Sequence, residues 1–262
     1  MELFIQYLVL GAFAGTLAGL LGVGGGLVIV PVLVTILNQQ QVTPDIVVHI
    51  AIGSSLATIV ATSLSSIYAH HKRGAVLWPV FWQLTPGIVI GALIGALLAD
   101  AMPADILRKV FALFEFAVAA QLLFGRLPSA HRVLPSTLVL SGVGAIIGAV
   151  SSVVGIGGGT MTVPFLIWCN TVAQKAVATS AACGLPIAIA GAIGFAFTGW
   201  HTPGLPQWST GYLYWPAIIS IVLASSLFAP VGAHIAHKLP AAKLKKMFGL
   251  FLVMLGLKML LY

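Results

Sequence analysis

Apolar stretches long enough to cross a lipid bilayer account for most of this chain. They run roughly over 3–37, 46–69, 75–99, 104–124, 134–168, 172–197, 212–236 and 241–261. A helix needs about 20 apolar residues to cross a hydrocarbon core of about 30 Å. In lipid such stretches fold as helices, because every backbone group must then find its partner within its own segment. The first and fifth stretches each cover about 35 residues, near 50 Å as one continuous helix, which is too long for one ordinary span. Both are interrupted by glycines, Gly22-Val23-Gly24-Gly25-Gly26 in one and Gly155-Ile156-Gly157-Gly158-Gly159 in the other, and five residues after each run comes a proline, Pro31 or Pro164.

Three consecutive glycines are a poor helix interior, at about 1 kcal/mol each relative to alanine. Proline in the first turn of a helix loses nothing, since its N–H would have no partner there. Each long stretch therefore reads as two half-helices, broken at the glycines and restarted near the proline.

Composition fixes the solvent. Of 262 residues, 60% are hydrophobic and 6% charged, whereas a soluble domain carries about a quarter charged residues. So few charges cannot cover a water-facing surface, so most of the surface faces lipid. That excludes a soluble enzyme, a disordered chain and a nucleic-acid binder. The net charge of +7 comes with no basic run interleaved with aromatics; the basic residues sit in short connectors. Cys169 and Cys183 lie in apolar surroundings and read as small apolar residues, without disulfide or metal meaning. Met1-Glu2-Leu3-Phe4 lacks a basic n-region and a clear cleavage site, so no signal peptide is expected.

The sequence also repeats itself. Gly22–Leu33 (GVGGGLVIVPVL) matches Gly155–Leu166 (GIGGGTMTVPFL) at an offset of 133. Ala51-Ile52-Gly53-Ser54-Ser55 matches Ala176-Val177-Ala178-Thr179-Ser180 at 125. Trp78-Pro79 matches Trp215-Pro216, Gly95–Pro103 matches Gly232–Pro240, and Arg108-Lys109 matches Lys245-Lys246, all at 137. The offset changes fall in connectors. The expected organisation is two transmembrane repeats, 1–127 and 133–262, joined by the polar stretch Gly125–Pro135.

Orientation depends on whether each broken stretch crosses once or doubles back. Single crossings give eight spans, parallel halves and a weak charge bias. Doubling back gives inverted halves. One face then holds Lys72, Arg73, Arg126, Arg132, Lys175, Lys238, Lys243, Lys245 and Lys246, and the other Arg108 and Lys109, with Lys258 near the end. The second arrangement divides the positive charge better. The expected fold is an all-α polytopic membrane protein of two homologous, inverted halves. Each half has a discontinuous or re-entrant first helix, giving 8–10 membrane-crossing segments with both termini outside.

Helix N-termini carry unpaired N–H groups and about half a positive charge, which makes them anion sites. Discontinuous helices at matching places of two halves point to a midplane binding site. Gly24, Gly25 and Gly26 with Gly157, Gly158 and Gly159 would present backbone amides without side-chain obstruction. Ser54, Ser55, Thr179 and Ser180 would add hydroxyl donors nearby. Many donors, no acceptors and no arginine suit a small oxyanion that must also be released. The competing reading is close helix packing, for which glycine and small hydroxyl residues are also selected. Hydroxyls within helices, moreover, often bond their own backbone.

Glu115 is the one carboxylate in the middle of a span. An intramembrane acid is a functional candidate, here for proton coupling; the alternative is an acid kept neutral or bonded to a neighbour such as Gln121. Its counterpart at the offset of 137 is Leu252. His49, just before the second span, could reach the substrate or carry a proton, or be an interfacial histidine. His70 and His71 belong to a basic connector. His234 and His237 lack a third ligand of suitable spacing, so no metal is expected. Trp78, Trp82, Trp200, Trp208, Trp215, Tyr212 and Tyr214 cluster near span ends and read as an interfacial belt. Asp100 and Asp105 read as solvated helix ends.

The twin Gly-x-Gly-Gly-Gly-x4-Pro motifs resemble those of the TauE/SafE sulfite exporter family, also called toluene sulfonate uptake permeases. So do Gly53-Ser54-Ser55-Leu56 and Ala69-His70-His71-Lys72-Arg73-Gly74. The resemblance covers essentially the whole chain. It implies a multi-pass bacterial inner-membrane protein moving sulfite, sulfoacetate or other organosulfonates, usually outward. Ser54 stands where the family often has threonine, and Ala178 where the second half is expected to have glycine.

The expected function is a secondary transporter exporting a small sulfur-containing anion by alternating access, its partners the anion, the bilayer and, for coupling, the proton. A passive anion channel or a transporter of another small anion would carry the same donors. An intramembrane enzyme would need a nucleophile with its base, paired membrane aspartates or a His-Glu-x-x-His motif, and none occurs. A scaffold has no reason to interrupt two helices at depth. No cofactor is implied, and the oligomeric state, a homo-oligomer included, stays open.

Overall fold

The computed structural model describes residues 2–21, 25–125, 134–236 and 241–261. Among the described residues the chain is all-α, as expected, apart from one hairpin of two two-residue strands. The helices are α1 (Glu2–Leu21), α2 (Gly26–Gln39), α3 (Pro44–Lys72), α4 (Trp78–Asp100), α5 (Ala104–Phe124), α6 (Thr137–Val154), α7 (Gly159–Trp168), α8 (Ala173–Thr198), α9 (Trp215–Ala236) and α10 (Ala241–Leu261). Strands β1 (Ser209–Thr210) and β2 (Leu213–Tyr214) pair antiparallel between α8 and α9. Five described helices, α3, α4, α6, α8 and α9, are long and apolar enough to cross a membrane; α2 and α7 are short apolar helices. Leu113, Leu138, Phe197 and Leu227 point outward from the bundle, as a lipid-facing surface requires.

The helices meet through small residues. Gly87, Gly91 and Gly95 of α4 face Ser141, Ala145 and Ala149 of α6, so closely that a Cβ on Gly91 would stand 2.0 Å from the Ala145 carbonyl oxygen. Gly11 and Gly15 of α1 lie likewise against Ile221 and Ser225 of α9. Without water to drive apolar surfaces together, close backbone approach supplies the association. In both pairs the residue numbers rise together, so the helices run parallel. The α3–α8 pair matches Gly53 to Phe195, Leu56 to Gly191 and Ser63 to Gly184, and α5–α10 matches Phe116 to Gly256 and Leu123 to Gly249. These two pairs run antiparallel.

Two expectations change. The half-helices restart at Gly26 and Gly159, so Pro31 and Pro164 are each the sixth residue inside α2 and α7 and not in a first turn. There a proline cannot donate to the carbonyl four residues back, that of Leu27 or Thr160. Glycine itself opens each half-helix. Tyr212 and Tyr214 are buried at 5% and 9% exposure and pack inward, while Trp82, Trp200, Trp208 and Trp215 remain exposed. Trp78, by contrast, is half-buried and packs against the core.

Candidate functional site

The second break is fully described. Helix α6 ends when Gly155 enters the left-handed region at φ +72°, its amide bonding Ser152 O and the Ile156 amide bonding Ser151 O. That is the glycine-terminated helix end. The chain restarts three residues later, where Gly158 O accepts the amides of Met161 and Thr162. At the first break, Gly25 O accepts the amides of Val28 and Ile29. The amides of Gly26 and Leu27, and of Gly159 and Thr160, thus fall outside the helices' own ladders, as at any helix start. Gly24, with Gly22 and Val23, lies outside the described residues.

The two breaks touch. A Cβ on Gly26 would stand 2.5 Å from the Gly155 carbonyl oxygen and 3.0 Å from Ile156 Cα. Gly155 in turn lies against Ile52 of α3 and Val30 of α2. Gly157 faces Ile59 of α3, and Gly158 faces Cys183 and Ile187 of α8 and Thr162 of α7. Gly25, Gly26, Gly157 and Gly158 are buried and Gly159 half-buried. The structure therefore packs the start of α2 on the end of α6 and sets the start of α7 against α8.

The four hydroxyls divide. Ser55 Oγ donates to Gly155 O at 2.8 Å, tying α3 to the second break. Ser54 Oγ accepts the Tyr214 amide at 3.0 Å, and Thr179 Oγ1 accepts the Leu77 amide at 2.9 Å. Ser180 Oγ is buried and has no partner among the described residues; the carbonyl at the place equivalent to Gly155, that of Gly22, lies outside them. Ser151, Ser152, Thr160 and Thr162 also have buried hydroxyls without a partner among the described residues. Thr162 Oγ1 is 3.0 Å from where a Cβ on Gly158 would sit. Sequence reasoning missed these four, although Thr160 and Thr162 sit within the repeated motif, because hydroxyls are common in membrane helices for packing alone.

Glu115 is fully buried in α5, and neither carboxyl oxygen has a partner among the described residues, so the bond to Gln121 is not made. Helix α5 packs chiefly on α10, where Leu252 is equally buried. His49 is 4% exposed, within α3. Its Nε2 lies 3.0 Å from Ala99 O, its Nδ1 has no partner among the described residues, and its ring stacks on Tyr212 at 5.1 Å. Tyr212 donates to Asp100 at 2.9 Å and accepts from Thr202 at 3.2 Å, so Asp100 is an exposed helix end that also holds a bond to the connector. Burial pushes the Tyr212 phenol above its ordinary value. Among the described residues no three His, Cys, Asp or Glu side chains group as metal ligands; His237 lies outside them. Both cysteines are buried, and no disulfide joins them.

A polytopic helical bundle holding two glycine-opened half-helices in contact with its interior carries the pattern that points to a transporter binding site. The model of the sulfite exporter TauE/SafE family matches residues 7–259, and the chain belongs to that family. A membrane transporter protein of Haemophilus influenzae, so described as probable, is 38% identical over 257 residues, covering 97% of both chains. One of Methanocaldococcus jannaschii, with the same description, is 29% identical over 267 residues, covering 97% of this chain and 94% of its own. No solved structure matches. The chain is a multi-pass inner-membrane protein of a transporter family.

Proposed function

We propose that this protein exports a small sulfur-containing anion, such as sulfite, sulfoacetate or another organosulfonate, by alternating access. The observation that carries this reading is the contact of the two breaks, with Gly26 against Gly155 and Ile156 in the buried centre of the bundle. The anion is held by the amides of Gly24–Gly26 and Gly157–Gly159, with Ser180 and the unpartnered hydroxyls of α6 and α7 as further donors. Such a set offers hydrogen bonds and two helix dipoles, and no fixed positive side chain.

The chain is an inverted duplication, 1–127 and 133–262. The antiparallel course of α3 against α8 and of α5 against α10 supports this, as does the exchange in which α1 packs on α9 and α6 on α4. Glu115 carries the coupling proton, being a buried intramembrane acid without a partner among the described residues. His49, buried at the Ala99 end of α3, is a second proton site. The test is sulfite and sulfoacetate flux into proteoliposomes with and without an imposed pH gradient. Saturable flux stimulated by the gradient is expected. Flux that follows the membrane potential alone without saturating gives a passive channel, and no flux of either anion removes this substrate class.

A further inference from the structure

Two hydrogen bonds join the halves at matching places. Thr179 of α8 accepts the amide of Leu77, the residue that opens α4, and Ser54 of α3 accepts the amide of Tyr214, the residue that opens α9. The hydroxyls are 125 residues apart and the amides 137, the same offsets that relate the repeated segments. Each amide precedes a Trp-Pro pair, Trp78-Pro79 or Trp215-Pro216. Each hydroxyl therefore anchors the start of a helix that belongs to the opposite half.

The antiparallel register of α3 on α8 places the two bonds at opposite ends of the bundle. Gly184 lies by Ser63, so Thr179, five residues earlier, is level with Tyr68. Fourteen residues of α3 then separate the bonds, about 21 Å along the axis. One bond closes the end that carries Lys72 and Lys175, the other the end that carries the β1–β2 hairpin. Gly157, Gly158 and Cys183 lie between them, while Gly155 and the Gly26 packed on it are level with the Ser54 bond, Gly155 lying against Ile52 and bonded by Ser55. Cys183 is fully buried, one helical turn from Thr179 and 3.8 Å from the place a Cβ on Gly158 would occupy.

Resting on the alternating-access reading, we propose that the Thr179–Leu77 and Ser54–Tyr214 bonds are the paired latches of the transport cycle. Each latch opens when its own end of the bundle opens, while the other stays closed. Both are formed here, and Gly25, Gly26, Gly157 and Gly158 are buried. An exchange of two equivalent bonds lets the protein move between inverted conformations at little net change in energy, which a reversible two-state element requires.

The test uses Cys183 as reporter in a Cys169→Ala background, with a membrane-impermeant maleimide applied to one face at a time in vesicles of either orientation. Thr179→Ala is expected to speed labelling from the Lys72 face by about two- to tenfold, the equilibrium shift that one hydrogen bond supports. Ser54→Ala is expected to speed labelling from the hairpin face by a similar factor and to slow it from the Lys72 face. Thr179→Ser and Ser54→Thr keep the hydroxyl and are expected to restore wild-type rates, which separates a latch from damage to folding. If both alanine variants speed labelling from the same face, or neither changes it, the latches are overturned and alternating access is left standing. If wild-type Cys183 reacts equally fast from both faces and flux does not saturate, alternating access fails and the latches with it.

Discussion

The two ends of the bundle share a device and differ in what covers it. At the Leu77 end, five residues (73–77) connect α3 to α4, turning through Gly74 at φ +61°. At the Tyr214 end, sixteen residues (199–214) connect α8 to α9, and they fold back on the bundle. Gly211, at φ +56°, sits so close to Ala196 that a Cβ would meet its carbonyl oxygen at 2.1 Å. Tyr212 then reaches between Phe195 and His49. A hydroxyl bonded to the amide before Trp-Pro recurs at both ends; the tyrosine-filled cover stands at one. On the proposed inverted duplication, what recurs is part of both repeats and what stands alone is particular to one end. Substitutions at recurrent features should therefore have large and matching effects, and those at one-sided features small and local ones.

The largest matched effect is expected from the parallel interfaces. Gly91→Val drives a side chain into the Ala145 carbonyl, and Gly15→Val into Ser225, 2.6 Å away, and neither backbone can withdraw. Both variants should lose folded protein, measured as the monodisperse peak in detergent after size exclusion. Full recovery of one with loss of the other would break the equivalence of the α1–α9 and α4–α6 interfaces.

Next come the breaks themselves. Gly26→Val meets the Gly155 carbonyl oxygen, which is backbone, whereas Gly158→Val meets Ile187 Cδ1 at 2.9 Å and Thr162 Oγ1 at 3.0 Å, which are side-chain atoms. Gly26→Val is expected to reduce sulfite flux to background in inserted protein. Gly158→Val should reduce it strongly, and Gly25→Val, 3.0 Å from Ile29 Cδ1, less. Wild-type flux in Gly26→Val would separate the breaks from the transport path.

This ranking was not legible in the sequence, which presents the three glycines of a run as equals. Element positions were legible, because apolar length and charge-bearing connectors decide them in lipid; the eight stretches become the ten described helices by division at the two glycine runs. The prolines misled, since proline is free of penalty only in a first turn and here lies a turn deeper. The tyrosines misled because an aromatic near a span end has the same composition whether it faces lipid headgroups or folds inward. Only the turn at Gly211 decides which. Ser54 and Thr179 were found as residues and not as bonds, since the amides they hold lie 160 and 102 positions away.

Glu115 tests the comparison from its one-sided part, because Leu252 stands at the equivalent place. Glu115→Gln keeps size and hydrogen-bonding capacity and removes the ionisable proton. Flux should remain saturable and lose its stimulation by a pH gradient. An unchanged response to the gradient would return Glu115 to a packing role and leave coupling to another group.

The smallest effect is expected at the cover. Tyr212→Phe keeps the ring against His49 and Phe195 and removes the bonds to Asp100 and Thr202. The loss of a partly buried hydrogen bond is worth about 1 kcal/mol, on the order of 2–4 °C in the melting temperature of a chain this size. Since only the Asp100 bond fastens the cover to α4, and at one end, half-saturation of sulfite flux should not move. The Leu77 end should keep its labelling rate at Cys183. A change in that rate would mean that the cover acts across the bundle on the opposite latch, and the two ends would then differ in control as well as in covering.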